Sequence, residues 1–245
     1  MTTRPPPQAR TLIFDIETLP LEVYTWGVWE QNAIKVIKDW SILCFSYKWL
    51  GEPKVYFQRV RKGDKDDKWL VKELWKLFDK ADTLIAHNGN SFDCKKATAR
   101  FIHHGLRPPS PYKQIDTKLL AKRKFGFTFN NLNEIARYLH SPFLKVSTGG
   151  FELWEGCMKN DPKAWRKMEK YNVRDTKVLE YVYRQLRPWD NLHPPVSTEA
   201  VCQKCGSRNL RMKGNAFSNG LVKKRFYCKA CGGWGQFTKK GTKNL

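Results

Sequence analysis

Thr11-Leu-Ile-Phe-Asp-Ile-Glu17 is dense in β-branched and apolar residues and stops at Leu19-Pro20, which predicts a strand. Trp40 to Trp49 and Lys54 to Val60 predict two more, joined by the turn formers Gly51-Glu-Pro53. From Asp67 to Lys80 the period changes: Leu70, Leu74, Leu77 and Phe78 share one helical face while Lys and Glu take the other. Thr83-Leu-Ile-Ala86 reads as a short buried strand, Phe92 to His104 as a helix closed by Gly105, and Leu132 to Leu139 as another short helix. The clearest helix opens with Asp161 as N-cap and Pro162 in its first turn and runs to about Leu186. Three antiparallel strands, a helix, a strand able to lie parallel to the first, and further helices predict a layered α/β domain.

Charge adds a partner to this picture. Lys and Arg number 45 against 23 Asp and Glu, a net charge of +22, which suits a polyanion. No run of 18 apolar residues is present to span a bilayer, and no basic amphipathic helix stands apart from the fold, so nucleic acid is favoured over a membrane surface. Met1 to Arg10 carries three prolines and no apolar core of a signal peptide. The expected location is therefore the reducing cytoplasm, that of the host if the chain is viral, where seven cysteines point to metal rather than disulfides. From Val201 to Leu245 there are 11 Lys and Arg and no acid, and the Pro-containing stretch from Arg187 precedes this shift. The predicted organisation is an N-terminal extension (1–10), a main domain (11–186), a linker (187–199) and a small basic domain (200–245).

Asp15 and Glu17 are two residues apart on a strand, so both leave the same face. Bare acids on a core strand are costly, and a hard cation such as Mg²⁺ is the natural neighbour. Asp93 follows the fourth strand at its junction with a helix, where it can reach the sheet edge. Tyr171 and Asp175 are four apart on the last helix and point to one side. Asp15, Glu17, Asp93 and Asp175 thus offer enough carboxylates for two divalent ions and in-line attack on a phosphodiester.

These segments resemble a known family. Asp-x-Glu in Phe14-Asp-Ile-Glu-Thr18, Asn-x-x-x-Phe-Asp at Asn88 to Asp93, and Tyr-x-x-x-Asp at Tyr171 to Asp175 look like the three exonuclease motifs of the DEDD superfamily, in order, over residues 11–186. The tyrosine branch is the closer one, with the proofreading domains of family B DNA polymerases and stand-alone phage and bacterial exonucleases. The histidine branch places His where this chain has Lys170. The resemblance implies a ribonuclease-H-like mixed sheet flanked by helices and removal of nucleotides from 3′ ends with two Mg²⁺ or Mn²⁺ ions. It implies Asp15, Glu17, Asp93 and Asp175 as metal ligands and Tyr171 as the residue that orients the attacking water. Thr18, Leu19, Asn88 and Phe92 would contact the terminal nucleotides.

Cys202-x-x-Cys205-Gly and Cys228-x-x-Cys231-Gly supply four thiolates, the ligand set of one structural Zn²⁺, and predict a small C-terminal four-cysteine zinc ribbon that needs its metal to fold. Within it, Lys223-Lys-Arg225, Phe226, Tyr227, Trp234, Phe237 and Lys239-Lys240 interleave cations with rings, a mixture that suits single-stranded nucleic acid, the alternative being that the rings form the ribbon's small core and the lysines only solubilise it. Cys44, Cys94 and Cys157 read as ordinary core or surface residues. Lys122-Arg-Lys124 and Arg59 to Lys68 could line the path of a strand, but solvated loops are the favoured reading, and His103-His104 reads as a surface pair at a helix end.

The leading expectation is a monomeric 3′–5′ exonuclease on single-stranded DNA or frayed 3′ ends, working alone or with a replication or repair protein. Two alternatives stay open: a ribonuclease or structure-specific nuclease on the same fold, and a catalytically inactive zinc-ribbon protein that binds nucleic acid. No residue announces a choice between DNA and RNA.

Overall fold

A computed structural model describes residues 8–29, 32–218 and 221–237. Its centre is a five-stranded mixed sheet of β1 (Thr11–Thr18), β4 (Ile42–Trp49), β5 (Tyr56–Arg59), β6 (Thr83–Ala86) and β7 (Lys113–Asp116) in the order β5-β4-β1-β6-β7. β1 pairs antiparallel with β4, Asp15 opposite Ser46 and Glu17 opposite Cys44, and parallel with β6, Ile13 opposite Ile85. β1 is central because it can be buried on both faces, and alternation divides its residues between two cores. Leu12, Phe14 and Ile16 pack under α1 (Lys68–Lys80) and α2 (Asp93–His103). Ile13 faces α3 (Thr117–Lys124), α4 (Leu132–Tyr138) and α6 (Pro162–Leu186). A third cluster joins Leu43 and Cys44 of β4 to α5 (Glu152–Met158) and the start of α6.

The expected α/β layering is present, with mixed strand directions and helices on both faces. Asp161 caps α6 through the N–H groups of Lys163 and Ala164, as its sequence predicts. Elements absent from the sequence reading are β7, α3, α5 and a hairpin of β2 (Glu22–Tyr24) and β3 (Lys35–Lys38). The hairpin holds Tyr24, Trp26 and Trp29 in solvent, so no buried face stamps a strand period on it. Among the described residues no helix is long and apolar enough to cross a membrane.

His104 corrects the expectation of a surface pair: His103 is exposed, but the His104 ring is buried, with Nε2 2.7 Å from Asp67 Oδ1. Asp67, in the stretch expected to be solvated, is buried too. It takes a two-pronged hydrogen bond from Arg100, with Nε to Oδ2 at 2.9 Å, and accepts the Ile42 N–H at 2.7 Å. Burial works against its charge, but hydrogen bonds from Arg100, His104 and Ile42 outweigh burial and hold the carboxyl below its usual range. Arg100→Ala strands that carboxylate in the core, so we expect a loss of about 3–5 kcal/mol in denaturant unfolding. A loss below about 1 kcal/mol would mean that the pair is solvent-screened like a surface bridge.

Past α6, the chain forms a second, three-stranded antiparallel sheet of β8 (Leu210–Ser218), β9 (Leu221–Cys228) and β10 (Trp234–Phe237), order β10-β9-β8. It is joined to the first sheet's domain by short polar ties. Val196 donates to Gln203 O at 3.1 Å, Ala9 donates to Val196 O at 2.9 Å, and Lys204 Nζ donates to Pro188 O.

Candidate active site

Three elements converge at one end of β1. β6 ends at Ala86, and the last parallel pair is Ile13 with Ile85, so β1 runs on past its partner. Asp93, the first residue of α2, accepts the Ile16 N–H there at 3.1 Å and is only 3% exposed. The turn that delivers it is tightly built. Asn88 sits at φ 67°, and its N–H and that of Asn90 donate to Asp116, the cap of α3, at 3.0 and 3.1 Å. Gly89 is required there, because a Cβ would lie 2.5 Å from that of Ala86. His87 braces the turn from below, its ring nitrogens 2.9 Å from Thr117 Oγ1 and 3.0 Å from Asn130 O. Burial pushes its pKa down to about 4, which leaves it a neutral strut at neutral pH.

α6 closes the site from the opposite side. Asn172 is fully buried and donates to Asp15 Oδ2 at 2.6 Å, while Ser46 donates to Asn172 O at 2.8 Å and contacts Thr176. One turn on, Asp175 is 1% exposed, with Oδ1 lacking any hydrogen-bond partner among the described residues. Tyr171 lies on the same face, its ring 6.4 Å from that of Trp154, whose indole N–H donates to Thr18 O at 3.2 Å.

The four acids share one electrostatic environment. Burial raises the Asp15 pKa well above its usual value, and the charges of Asp93, Glu17 and Asp175 add to it. Burial, then Asp175, pushes Glu17 up to about 8. Burial pushes Asp93 up to about 7 and raises Asp175 too, the latter against the pull of Lys145. The Tyr171 phenol is pushed above its usual value by burial and by Glu17, Asp175 and Asp15, which favours the protonated form. Carboxylates that repel one another in a buried cleft, one with an orphaned oxygen, fit a divalent cation and have little else to gain from the arrangement.

The structure therefore brings Asp15, Glu17, Asp93, Tyr171 and Asp175 together. Leu19 is half-buried, packs against the same apolar cluster as Tyr171, and is tied by its N–H to Ser41 O at 2.9 Å. Phe92 is partly exposed next to Asp93, and the Asn88 amide oxygen accepts from Lys118 at 3.2 Å. Lys145 is absent from the sequence reading. It comes from the irregular stretch between α4 and α5, reaches Asp175 Oδ2 at 2.5 Å, and lies 5.7 Å from the Tyr171 ring. Burial opposes its charge, but Asp175, then Asp15 and Glu17, hold its pKa above the usual lysine value. No local pattern marks it, because a lone lysine in a loop has no periodicity to read.

The second centre is the cysteine cluster. Gly206 and Gly232 follow each Cys-x-x-Cys at φ 75° and 76°, and each donates its N–H to the first cysteine's carbonyl, at 2.8 and 2.9 Å. Two matching knuckles result. The four Sγ atoms lie within 4.8 Å of one another, with Cys202–Cys231 at 3.8 Å and Cys205–Cys228 at 3.7 Å. Bonds of about 2.3 Å to a tetrahedral Zn²⁺ put sulfurs about 3.8 Å apart. For Phe226 and Phe237 the core alternative holds: both are buried with the cysteines, rings stacked at 4.5 Å, so neither is open to a base. Trp234 and Tyr227 remain at the surface with Arg225, whereas Lys239 and Lys240 lie outside the described residues. Cys44, Cys94 and Cys157 are buried and free.

Residues 12–187 match the family model RNase_H_2, of the RNase_H superfamily. No curated protein matches the chain by sequence. Among solved structures, the family B DNA polymerase from the hyperthermophilic archaeon Pyrobaculum calidifontis is similar in fold, with a TM-score of 0.48 and 17% identity. The similarity covers 75% of this chain and 26% of the polymerase, so the chain spans about a quarter of that protein's length.

Proposed function

We infer the reaction from one premise: this chain belongs to the RNase_H superfamily. On that fold, we propose a metal-dependent nuclease that removes nucleotides from 3′ ends, with single-stranded DNA as the substrate. The observation that carries the reading is the cleft of four acids from β1, α2 and α6, mutually repelling and incompletely hydrogen-bonded. The 3′ direction is supported by the order of the three motifs alone.

Asp15, Glu17, Asp93 and Asp175 would hold two Mg²⁺ or Mn²⁺ ions, which supply a low-pKa water and charge neutralisation at the phosphate. Everything else falls to the protein. Asn172 and the Ile16 N–H fix the Asp15 and Asp93 carboxylates in place. Tyr171 is held protonated, which suits it to orient the attacking water by hydrogen bond and unsuits it as a base. Lys145 places a cation at the rim, where the phosphate's negative charge would meet it. Thr18 and Leu19, just past the β1 acids, would contact the terminal nucleotide through backbone and an apolar wedge, and Asn88 and Phe92 would contact the strand from the other side. The cysteine cluster would hold one structural Zn²⁺, and the surrounding cations of the ribbon would help hold the strand. A monomer in the cytoplasm, serving replication or repair, is the setting this reading favours.

The test is a 5′-labelled single strand, as DNA and as RNA, incubated with Mg²⁺ or with EDTA. A metal-dependent ladder shortening from the 3′ end supports the proposal. Intact substrate with retained binding moves the reading to a zinc-ribbon binding protein. Tyr171→Phe loses one hydrogen bond to water but none to metal, so we expect turnover to fall about 10- to 100-fold without vanishing. Complete loss would mean that the phenol does more than orient.

A further inference from the structure

Beside the acidic cleft, on the β5 edge of the sheet, a cavity of about 520 Å³ opens between β5 and the start of α6. Its lining includes Arg59, Arg61 and Arg166 and one acid, Glu169. Two of the guanidiniums are laid on indoles: Arg59 is 4.4 Å from the Trp165 ring and Arg61 is 3.4 Å from that of Trp69. None of the three guanidiniums has an ion-pair partner among the described residues, although acids lie within a few residues of Arg61. A stacked guanidinium keeps its in-plane N–H fork free and fixed in direction, which is the form in which arginine meets phosphate at the least entropic cost. Three unpaired guanidiniums around one hollow, two of them stacked, suit an anion, and the net charge of +22 favours a polymeric one.

Register ties this hollow to the acids. Arg59 on β5 lies opposite Cys44 on β4, and Cys44 lies opposite Glu17 on β1. Residues in register share a face, so Arg59 and Glu17 stand on the same side of the sheet, two strand spacings or about 10 Å apart. A second cavity, of about 500 Å³, bridges the gap: Leu19 is in its wall, and it shares Arg61 and Trp165 with the first. That bridging cavity has five carboxylates against five Lys and Arg in its walls, whereas the arginine hollow has three Arg against one Glu. Phosphates would therefore be drawn onward to the hollow rather than retained in the bridge.

We propose that the Arg59–Arg61–Arg166 hollow is a backbone-binding groove for single-stranded nucleic acid, taking phosphates of the strand upstream of the bond being cut. This rests on the nuclease reading for its direction but not for its existence. The groove makes binding length-dependent: a strand long enough to reach β5 gains contacts that a trinucleotide cannot.

The test uses the full chain carrying Asp15→Ala, so that bound strands stay intact, and reads anisotropy of labelled 20-mer and trinucleotide, as DNA and as RNA, across a salt series. Arg59→Gln with Arg61→Gln removes two phosphate contacts, so the slope of log affinity against log salt for the 20-mer should flatten by about 1.4. Trinucleotide affinity should not move. Arg59→Lys with Arg61→Lys keeps both charges and should restore most of the slope, which separates charge from fold damage. An unchanged 20-mer slope overturns the groove, as does an equal loss on both lengths. Cleavage by the wild-type chain with an unchanged slope would sink the groove alone. An arginine-dependent slope in a chain that cuts neither strand would sink the nuclease reading and leave the groove standing.

Discussion

Asp15→Asn is expected to abolish cleavage while making the protein more stable. The loss follows from removing a charge that would hold the metal: several kcal/mol of charge stabilisation, at 1.36 kcal/mol per decade, is on the order of a thousandfold in rate. The gain follows from the same charge being unwelcome when no cation is there. Burial and three neighbouring acids raise the Asp15 pKa, and Glu17 and Asp93 are pushed up to about 8 and 7. An acid whose folded pKa lies above its unfolded one binds more protons when native, so stability falls as pH rises between the two values. Without added divalent metal, the wild-type melting temperature should therefore drop between about pH 4 and pH 8. Asparagine keeps the shape and the Asn172 contact but ends that penalty. A rise of about 2–4 °C at pH 8, equivalent to about 1 kcal/mol, is expected, with a shallower pH dependence. Added Mg²⁺ should stabilise the wild type and not the variant, since only the former gains by binding. A variant less stable than the wild type in metal-free buffer would show that the acids are held by contacts rather than strained by one another.

The second large effect concerns the small sheet. Its apolar core is little more than Phe226, Phe237 and the cysteines themselves, too small to offset the entropy of ordering the strands. Structural zinc supplies about 10–16 kcal/mol of apparent binding energy in sites of this kind. Stripping zinc, or Cys228→Ser, should erase hydrogen-exchange protection across β8, β9 and β10. Protection in β1 and β4 should survive, because the ties between the sheets are few and polar. Retained protection in β9 after verified zinc loss would rule out a metal-dependent fold.

The candidate site residues were readable because each is anchored to a local pattern. Asp15 and Glu17 stand on a strand whose alternation is plain, Asp93 at a strand-to-helix junction, and Tyr171 and Asp175 on a helix marked at its start by Asp161-Pro162. What escaped lacks such an anchor. β7 is Lys-Gln-Ile-Asp, two exposed residues and two buried, too short to carry a period. His104 looks like surface until Asp67 arrives from 37 residues away. Lys145 enters the acidic cleft from a stretch with no regular structure. Phe226 and Phe237 alternate with cations as a base-stacking surface would, and only the neighbouring cysteines turn them inward. Long-range partners, rather than weak propensities, account for most of these misses.

The Asp15–Asn172 hydrogen bond spans 157 positions of sequence. At about 5–20 residues per second of synthesis, β1 waits roughly 8–30 s for the helix that completes its site. Until then the nascent chain carries an acidic strand with no partner for it. If the cleft is the proposed nuclease site, a growing polypeptide could not cut the nucleic acid that surrounds it at the ribosome. Competence would then arrive with the last helix of the domain, and a truncated product ending before α6 should lack it.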